Sequence, residues 1–193
     1  MANPYGDIEL DATGMRALAH PVRVRVLSEL QRHGPSTATR LSPAVGATPS
    51  VTSWHLRHLA AHGLVRDTQG RGTGRERWWE AASRGVRFSP TAPGAREAAH
   101  VLRQVMEEAD GDVLADWERD VEPTLPEAWL DVAVRASTRV LVTLEEAAAI
   151  EARVEELLAP YVLRKDDPAS APAGARSVRL VRYTLPDAED GDA

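Results

Sequence analysis

The stretch from Gly34 to Ala82 constrains the fold most, because its start and stop signals for local structure follow one another closely. The clearest signals bound one helix. Thr48 can cap the first turn, Pro49 suits the first helical position, and Gly63 suits a left-handed residue after the last turn. These residues predict a helix over 49–62.

The two faces of this helix differ in chemistry. Thr52, Leu56 and Leu59 fall on one face, which we expect to pack inward. The opposite face carries Ser50, Ser53, Trp54 and Arg57, at i, i+3, i+4 and i+7. Hydroxyls, an indole and a guanidinium can contact base edges and phosphates of DNA. The alternative is an ordinary amphipathic helix with a solvated polar face.

The segments before this helix predict two more helices. Pro21 begins a helix with apolar residues at 22, 26, 27 and 30, and Gly34-Pro35 ends it. Ser36 or Thr37 then caps a helix that carries Leu41 inward, and we expect Pro43 to keep it short or irregular. Residues 45–47 form the turn into the helix over 49–62.

The segment after this helix reads as a hairpin. Residues 64–68 and 77–80 have strand composition, and the loop 69–75 contains three glycines that permit positive φ angles. Arg71, Arg75 and Arg77 place positive charge where a wing would touch phosphates or the minor groove of DNA. A soluble, arginine-bearing turn is the alternative. The complete order predicts a winged helix-turn-helix that binds double-stranded DNA.

Residues 7–90 resemble the ArsR-type winged helix-turn-helix transcriptional regulators, in the branch that does not sense metals. The resemblance rests on residues 18–23 (LAHPVR), 53–57 (SWHLR) and 63–65 (GLV). It implies that Ser50, Ser53, Trp54 and Arg57 sit in the major groove or on its phosphates. Thr52 stands where the family usually has an apolar residue.

The charge is distributed unevenly along the chain. The formal net charge of −6 divides into +5 for residues 1–90 and −11 for residues 91–193. Only the first half therefore suits a polyanion, and the acidic second half would discourage indiscriminate coating of DNA.

The absence of several residue patterns excludes other functions. The chain has no cysteine, which rules out disulfides, thiolate metal sites and cysteine nucleophiles. His55, His58 and His62 share one helix, and His58 and His62 have the i, i+4 spacing that is common for zinc ligands. We interpret His55 as packing beside the core and the other two as lying at the edge of the helix, and we expect no metal or other cofactor. No phosphate-binding loop, zinc-hydrolase motif or serine elbow is present, so we expect no enzyme. Without a long apolar run or a signal core, we expect a cytoplasmic protein and no membrane partner.

A second unit follows the boundary at residues 89–94. From residue 95 to about residue 118, apolar residues form a stripe with helical or near-heptad spacing, broken only by Gly111. In the ArsR-type family such a helix commonly pairs with its copy from a second subunit. The resemblance therefore makes a homodimer the first expectation. Packing on the chain's own C-terminal part is the alternative.

The remaining residues predict a small α+β extension. A strand over 139–142 precedes a capping box, Thr143 to Glu146, that begins a helix. A loop over 166–177, a strand over 178–184 and an acidic tail follow. This region could bind an effector, buttress a dimer or do both. Trp117, Trp129 and Tyr161 would either line an apolar pocket or form plain core.

Together these patterns predict an α+β, mainly α, protein. Its parts are a DNA-binding domain over 1–90, a long dimerisation helix over 91–120 and the extension over 121–193. We expect a homodimeric repressor released by an unidentified small-molecule effector that is not bound through thiols. The predicted DNA-binding residues are Thr48, Ser50, Ser53, Trp54, Arg57, Arg71, Arg75 and Arg77. The alternative function is a winged-helix module that binds other proteins through its acidic C-terminal half.

Overall fold

The computed structural model describes residues 3–68, 76–164 and 167–188. The first half contains β1 (Ile8–Leu10), α1 (Ala12–Leu18), α2 (Pro21–His33), β2 (Ser36–Thr37), α3 (Ala38–Val45), α4 (Pro49–Ala61), β3 (Val65–Asp67), β4 (Trp78–Ala81) and β5 (Val86–Phe88). The second half contains α5 (Arg96–Asp110), α6 (Val113–Asp120), α7 (Glu127–Leu130) and α8 (Leu144–Leu163), with 3-10 turns at Glu122–Thr124 and Pro168–Ser170. The α+β, mainly α, fold is confirmed.

The helix-turn-helix consists of α3 and α4, and its ends lie close to where the sequence places them. The Thr37 side chain accepts a hydrogen bond from the Arg40 amide and caps α3. This helix is short, as predicted, and includes Pro43. Gly46 ends it with a φ of 67°, in the left-handed region that favours glycine. The Thr48 hydroxyl then accepts from the Val51 amide at 3.4 Å and caps α4.

The predicted hairpin forms and gains a third strand. β3 and β4 pair antiparallel, with Val65 opposite Ala81. β2 pairs with the other edge of β4, so the sheet order is β2-β4-β3. Sequence reasoning missed β2 because a two-residue strand is too short to show alternation.

The N-terminal segment was also missed. β1 pairs in parallel with β5, in a register that places Glu9 opposite Arg87. Between β1 and the second helix, Asp11 caps α1 by accepting from the Gly14 amide at 2.7 Å. Each of these elements has seven residues or fewer, which gives periodicity little length in which to appear.

One apolar core unites these elements with α5. Its buried side chains come from β1, α1, α2, α3, α4, β3, β4 and α5, and it extends in sequence from Leu10 to Leu102. Thr52 is fully buried within it, and its hydroxyl shares a hydrogen bond of 3.2 Å with the Ser42 hydroxyl. This bond between α3 and α4 explains how the core accepts a polar residue at a position where the family usually has an apolar one.

The stripe over residues 95–118 forms two helices, α5 and α6. Gly111 separates them with a φ of 64°, at the interruption visible in the sequence. Ala98, Ala99 and Leu102 of α5 are buried, and α5 packs against α1 and α2. This face therefore packs on the chain's own N-terminal half, which neither of the two sequence interpretations had specified.

The C-terminal part contributes no buried side chain in the described residues after Leu102. The capping box of α8 is present, with the Thr143 amide donating to Glu146 at 2.8 Å. The strands predicted over 139–142 and 178–184 are wrong. Both segments lack strand pairing, because β-prone residues make a strand only where a neighbouring edge receives their backbone hydrogen bonds. The core interpretation of Trp117, Trp129 and Tyr161 is also wrong, since all three side chains remain partly or largely exposed.

Candidate DNA-binding surface

The outward side of α4 presents a polar and aromatic surface. Ser50 and Arg57 are exposed, Ser53 is half-buried, and the Trp54 side chain is 55% exposed. On the inward side Thr52, Leu56 and Leu59 are fully buried. The structure therefore brings the four predicted residues of α4 together on the side of the helix that faces away from the core.

Thr48 lies at the start of this surface. Its side chain is exposed, and its oxygen already accepts the capping hydrogen bond from Val51. A hydroxyl that accepts one hydrogen bond still has a proton to donate. Thr48 can therefore cap α4 and donate to a phosphate at the same time.

The hairpin arginines are partly neutralised. The Arg77 Nε donates to Asp67 at 2.6 Å, and the guanidinium lies 4.4 Å from the centre of the Trp79 ring. Arg66 is paired with Glu80, also at 2.6 Å. Arg71 and Arg75 lie outside the described residues. Arg77 would have to exchange Asp67 for a phosphate in order to contact DNA.

Behind the outward side of α4 lies a cluster that sequence reasoning missed, formed by His20, Arg23, His55 and His58. The Arg23 Nη1 reaches from α2 to the His58 Nε2 at 2.6 Å and also donates to the Ala17 carbonyl. The His20 Nδ1 accepts from the Val22 amide and caps α2. The His20 and His55 rings are 4.6 Å apart. No local pattern reveals such a cluster, since Arg23 and His58 are 35 residues apart in the sequence.

Trp54 rests on the histidines of this cluster. Its ring stacks on His58, with 5.8 Å between centres and 24° between planes. It also meets His55 edge-on at 4.8 Å. Both distances are within the range of favourable aromatic contacts. The half of the indole that does not face solvent is therefore supported from within the protein.

The cluster favours neutral histidines. Burial, together with the nearby His20, Arg23 and His58, lowers the pKa of His55 to about 4. Burial, followed by the charge of Arg23, also lowers the pKa of His20 and of His58. Burial lowers the pKa of Arg23 as well, although a guanidinium stays protonated in proteins. The cluster therefore holds one positive charge, on Arg23, at neutral pH.

Within the described ranges, no group of three or more histidine, cysteine or acidic residues is arranged to hold a metal ion. In the same part of the chain, no helix has both the length and the apolar character needed to cross a bilayer.

Parts of the chain are similar to known proteins. A helix-turn-helix domain family matches residues 18–68, which include the whole of α2, α3 and α4. The transcriptional repressor PagR of Bacillus anthracis is 30% identical over 66 residues, which cover 34% of this chain and 67% of PagR. The crystal structure of a possible transcriptional regulator for arsenical resistance is similar with 26% sequence identity and a TM-score of 0.31. The match covers 55% of this chain and 94% of that chain.

The helix-turn-helix match includes the segment in which α4 presents its polar side outward. PagR is a transcriptional repressor. The chain belongs to the ArsR-type winged helix-turn-helix family of DNA-binding transcriptional regulators.

Proposed function

We propose that this protein is a homodimeric repressor that reads a specific DNA sequence through α4 and is released by a small effector. The observation that carries the proposal is the outward side of α4, where Ser50, Trp54 and Arg57 are exposed beside a buried inner face. In the helix-turn-helix docking mode, the residues near the start of such a helix reach base edges in the major groove.

Each proposed contact follows from the side-chain chemistry. Arg57 can fork onto guanine or a phosphate, and the Ser50 and Ser53 hydroxyls can donate to bases or to the backbone. Trp54 offers an apolar face to a thymine methyl group and one N–H to an acceptor. Thr48 and the wing arginines Arg71, Arg75 and Arg77 would hold flanking phosphates, which position the protein without reading sequence.

The second half of the chain supports a dimer. Its exposed large apolar side chains include Val134, Leu141, Leu157, Leu180 and Tyr183. A second chain could cover apolar side chains of this kind. The charges are also self-complementary: α8 carries five glutamates and one arginine, whereas the extended segments around 132–142 and 176–185 carry five arginines and no acidic residue. Within one chain Glu151 already lies 3.6 Å from Arg182 and Glu155 pairs with Arg87, so a second copy could place its basic segments on the other glutamates of this helix.

In such a dimer the two α4 helices would enter successive major grooves about 34 Å apart. An effector bound at the dimer or C-terminal region would release DNA by favouring a different spacing of these helices, which requires only a difference in affinity between the two arrangements. Because the proposed target is chromosomal DNA, we place the protein in the cytoplasm.

Selection from a pool of random DNA duplexes tests this function. We expect the wild-type chain to enrich a near-palindromic sequence with half-sites centred about 10 base pairs apart, and to bind it as two chains by analytical ultracentrifugation. A pool that remains random after repeated rounds would contradict the proposal. It would favour a module that binds other proteins through the C-terminal half.

A further inference from the structure

We propose that Arg23 and His58 are positioning residues that hold the DNA-facing indole of Trp54, and that a proton on His58 releases it. The inference rests on the proposed function of α4 in reading DNA. It adds to that function a connection from α2 to the outward side of α4. The two residues that make the connection, Arg23 and His58, do not themselves belong to the proposed DNA-contacting residues.

The contact between Arg23 and His58 determines the protonation state and the tautomer of the histidine. A guanidinium has five N–H donors and no acceptor, so the His58 Nε2 must accept in the 2.6 Å hydrogen bond. An imidazole nitrogen can accept only when it carries no proton. His58 is therefore neutral, with its proton on Nδ1, whenever this bond exists.

The same ring supports Trp54 on its other side. Trp54 and His58 on α4 and His62, directly after α4, are spaced four residues apart. Their rings form a column with centres 5.8 Å and 4.9 Å apart. The hydrogen bond from Arg23 on α2 holds the central ring of this column, that of His58, in place. Loss of the bond would free His58 to change rotamer, and the indole would lose the ring on which it stacks.

The charged groups around His58 oppose its protonation. Arg23 faces it from α2, and His20 lies at the start of the same helix. His55 on α4 and His62, directly after α4, flank it. The Ala17 carbonyl of α1, which also accepts from Arg23, acts in the opposite direction and raises the pKa of His58, but burial and the positive charge of Arg23 outweigh it. A proton on His58 would place a second positive charge against Arg23 and convert its acceptor nitrogen into a donor. The bond would then break.

This arrangement makes selective binding and non-selective binding respond differently to acid. If the selective complex requires neutral His58, its affinity should fall by about tenfold per pH unit for each subunit once the pH is below the pKa of His58. Binding to random DNA depends on phosphate contacts, and an added positive charge does not weaken them. The ratio of the two affinities should therefore fall as the pH is lowered.

The first test uses the free chain and needs no DNA. The indole N–H signal of Trp54, assigned by its loss in Trp54→Phe, is followed by NMR between pH 7.5 and about pH 5, above the range in which His55 with its pKa of about 4 titrates. We expect the signal to move together with the imidazole signals of His58. The movement should disappear in His58→Gln, whose amide oxygen can still accept from Arg23 but takes up no proton.

Two control variants separate this effect from a general response to pH. His62→Gln removes the other histidine of the column, and His100→Gln removes an exposed histidine on α5. Both should keep the titration of the Trp54 signal. A Trp54 signal that does not move in the wild type, or that still moves in His58→Gln, would overturn the inference whatever the protein binds.

The second test measures the ratio of affinities for the selected duplex and a scrambled duplex at pH 7.5 and pH 5.5. We expect the wild-type ratio to fall and the His58→Gln ratio to be lower at pH 7.5 but independent of pH. Equal pH dependence in the two proteins would overturn the link to DNA reading. Failure of the selection itself would instead count against the proposed function and leave the NMR result standing.

Discussion

Replacing Arg87 by alanine is expected to lower the free energy of unfolding by about 2–4 kcal/mol, because it leaves two largely buried carboxylates without a positively charged partner. Arg87 on β5 lies between Asp7 and Glu155, with its Nε 3.0 Å from one carboxylate and its Nη1 2.8 Å from the other. The side chains are 22%, 11% and 12% exposed, respectively. Burial lowers the pKa of Arg87, but the hydrogen bonds with Glu155 and Asp7 more than offset this and raise it.

A surface pair in the same domain provides the control for this prediction. Arg66 is paired with Glu80 at 2.6 Å, but the Arg66 side chain is 66% exposed. Arg66→Ala should cost at most about 1 kcal/mol, since water solvates both charges. Urea unfolding of the two variants measures the difference. Equal losses of stability would contradict a special role for the Arg87 pairs.

A triple variant isolates the cause of the loss. Asp7→Asn and Glu155→Gln remove the two negative charges that have no partner in Arg87→Ala. Adding these substitutions to Arg87→Ala should therefore restore part of the lost stability. Because Glu155 belongs to α8 and Asp7 precedes β1, Arg87→Ala should also increase hydrogen exchange in α8. Full protection of α8 in the variant would show that other contacts hold this helix.

Lowering the pH from 7.5 to 4.5 is expected to remove about 2–3 kcal/mol of stability through His55 alone. His55 is 4% exposed, and its pKa of about 4 in the folded chain is below the value of 6.5 expected when it is unfolded. Folding therefore favours the neutral ring. The contribution of His55 is complete above pH 6.5 and is lost as the pH falls towards 4, where the folded chain also takes up the proton.

The measurement is the free energy of unfolding in urea as a function of pH, for the wild type, His55→Gln and His33→Gln. His55→Gln should be less stable at pH 7.5 but should lose less stability on acidification. His33 is largely exposed at the end of α2, so His33→Gln should follow the wild type. A His55→Gln profile parallel to that of the wild type would contradict the account of a buried neutral histidine.

The helix-turn-helix could be predicted from sequence because its boundaries are local. Thr48, Pro49 and Gly63 specify the ends of α4 by capping and backbone preference, and each acts within a few residues. The inward and outward faces of α4 followed from periodicity alone. Their proposed roles with DNA stay predictions.

The histidine–arginine contacts could not be predicted in this way. Arg23 and His58 are 35 residues apart, and their meeting depends on how α2 and α4 cross in the folded core. The β1–β5 pair and β2 were missed because they are too short for periodicity. The two strands expected in the C-terminal part failed for a different reason. The amino-acid composition of these two segments shows a preference for β structure, but a strand forms only by pairing with the edge of another strand. Among the described residues of one chain, neither segment pairs with such an edge.

The central claim is that the outward side of α4 reads DNA sequence, and the most direct measurement is a fluorescence anisotropy titration at several salt concentrations. Wild type, Arg57→Ala and Arg153→Ala are compared on the selected duplex and on a scrambled one. Arg153 is an exposed arginine of α8, so its variant controls for the loss of one positive charge. We predict that Arg57→Ala loses about 1–3 kcal/mol of discrimination, while Arg153→Ala discriminates like the wild type. Unchanged discrimination in Arg57→Ala would contradict the account.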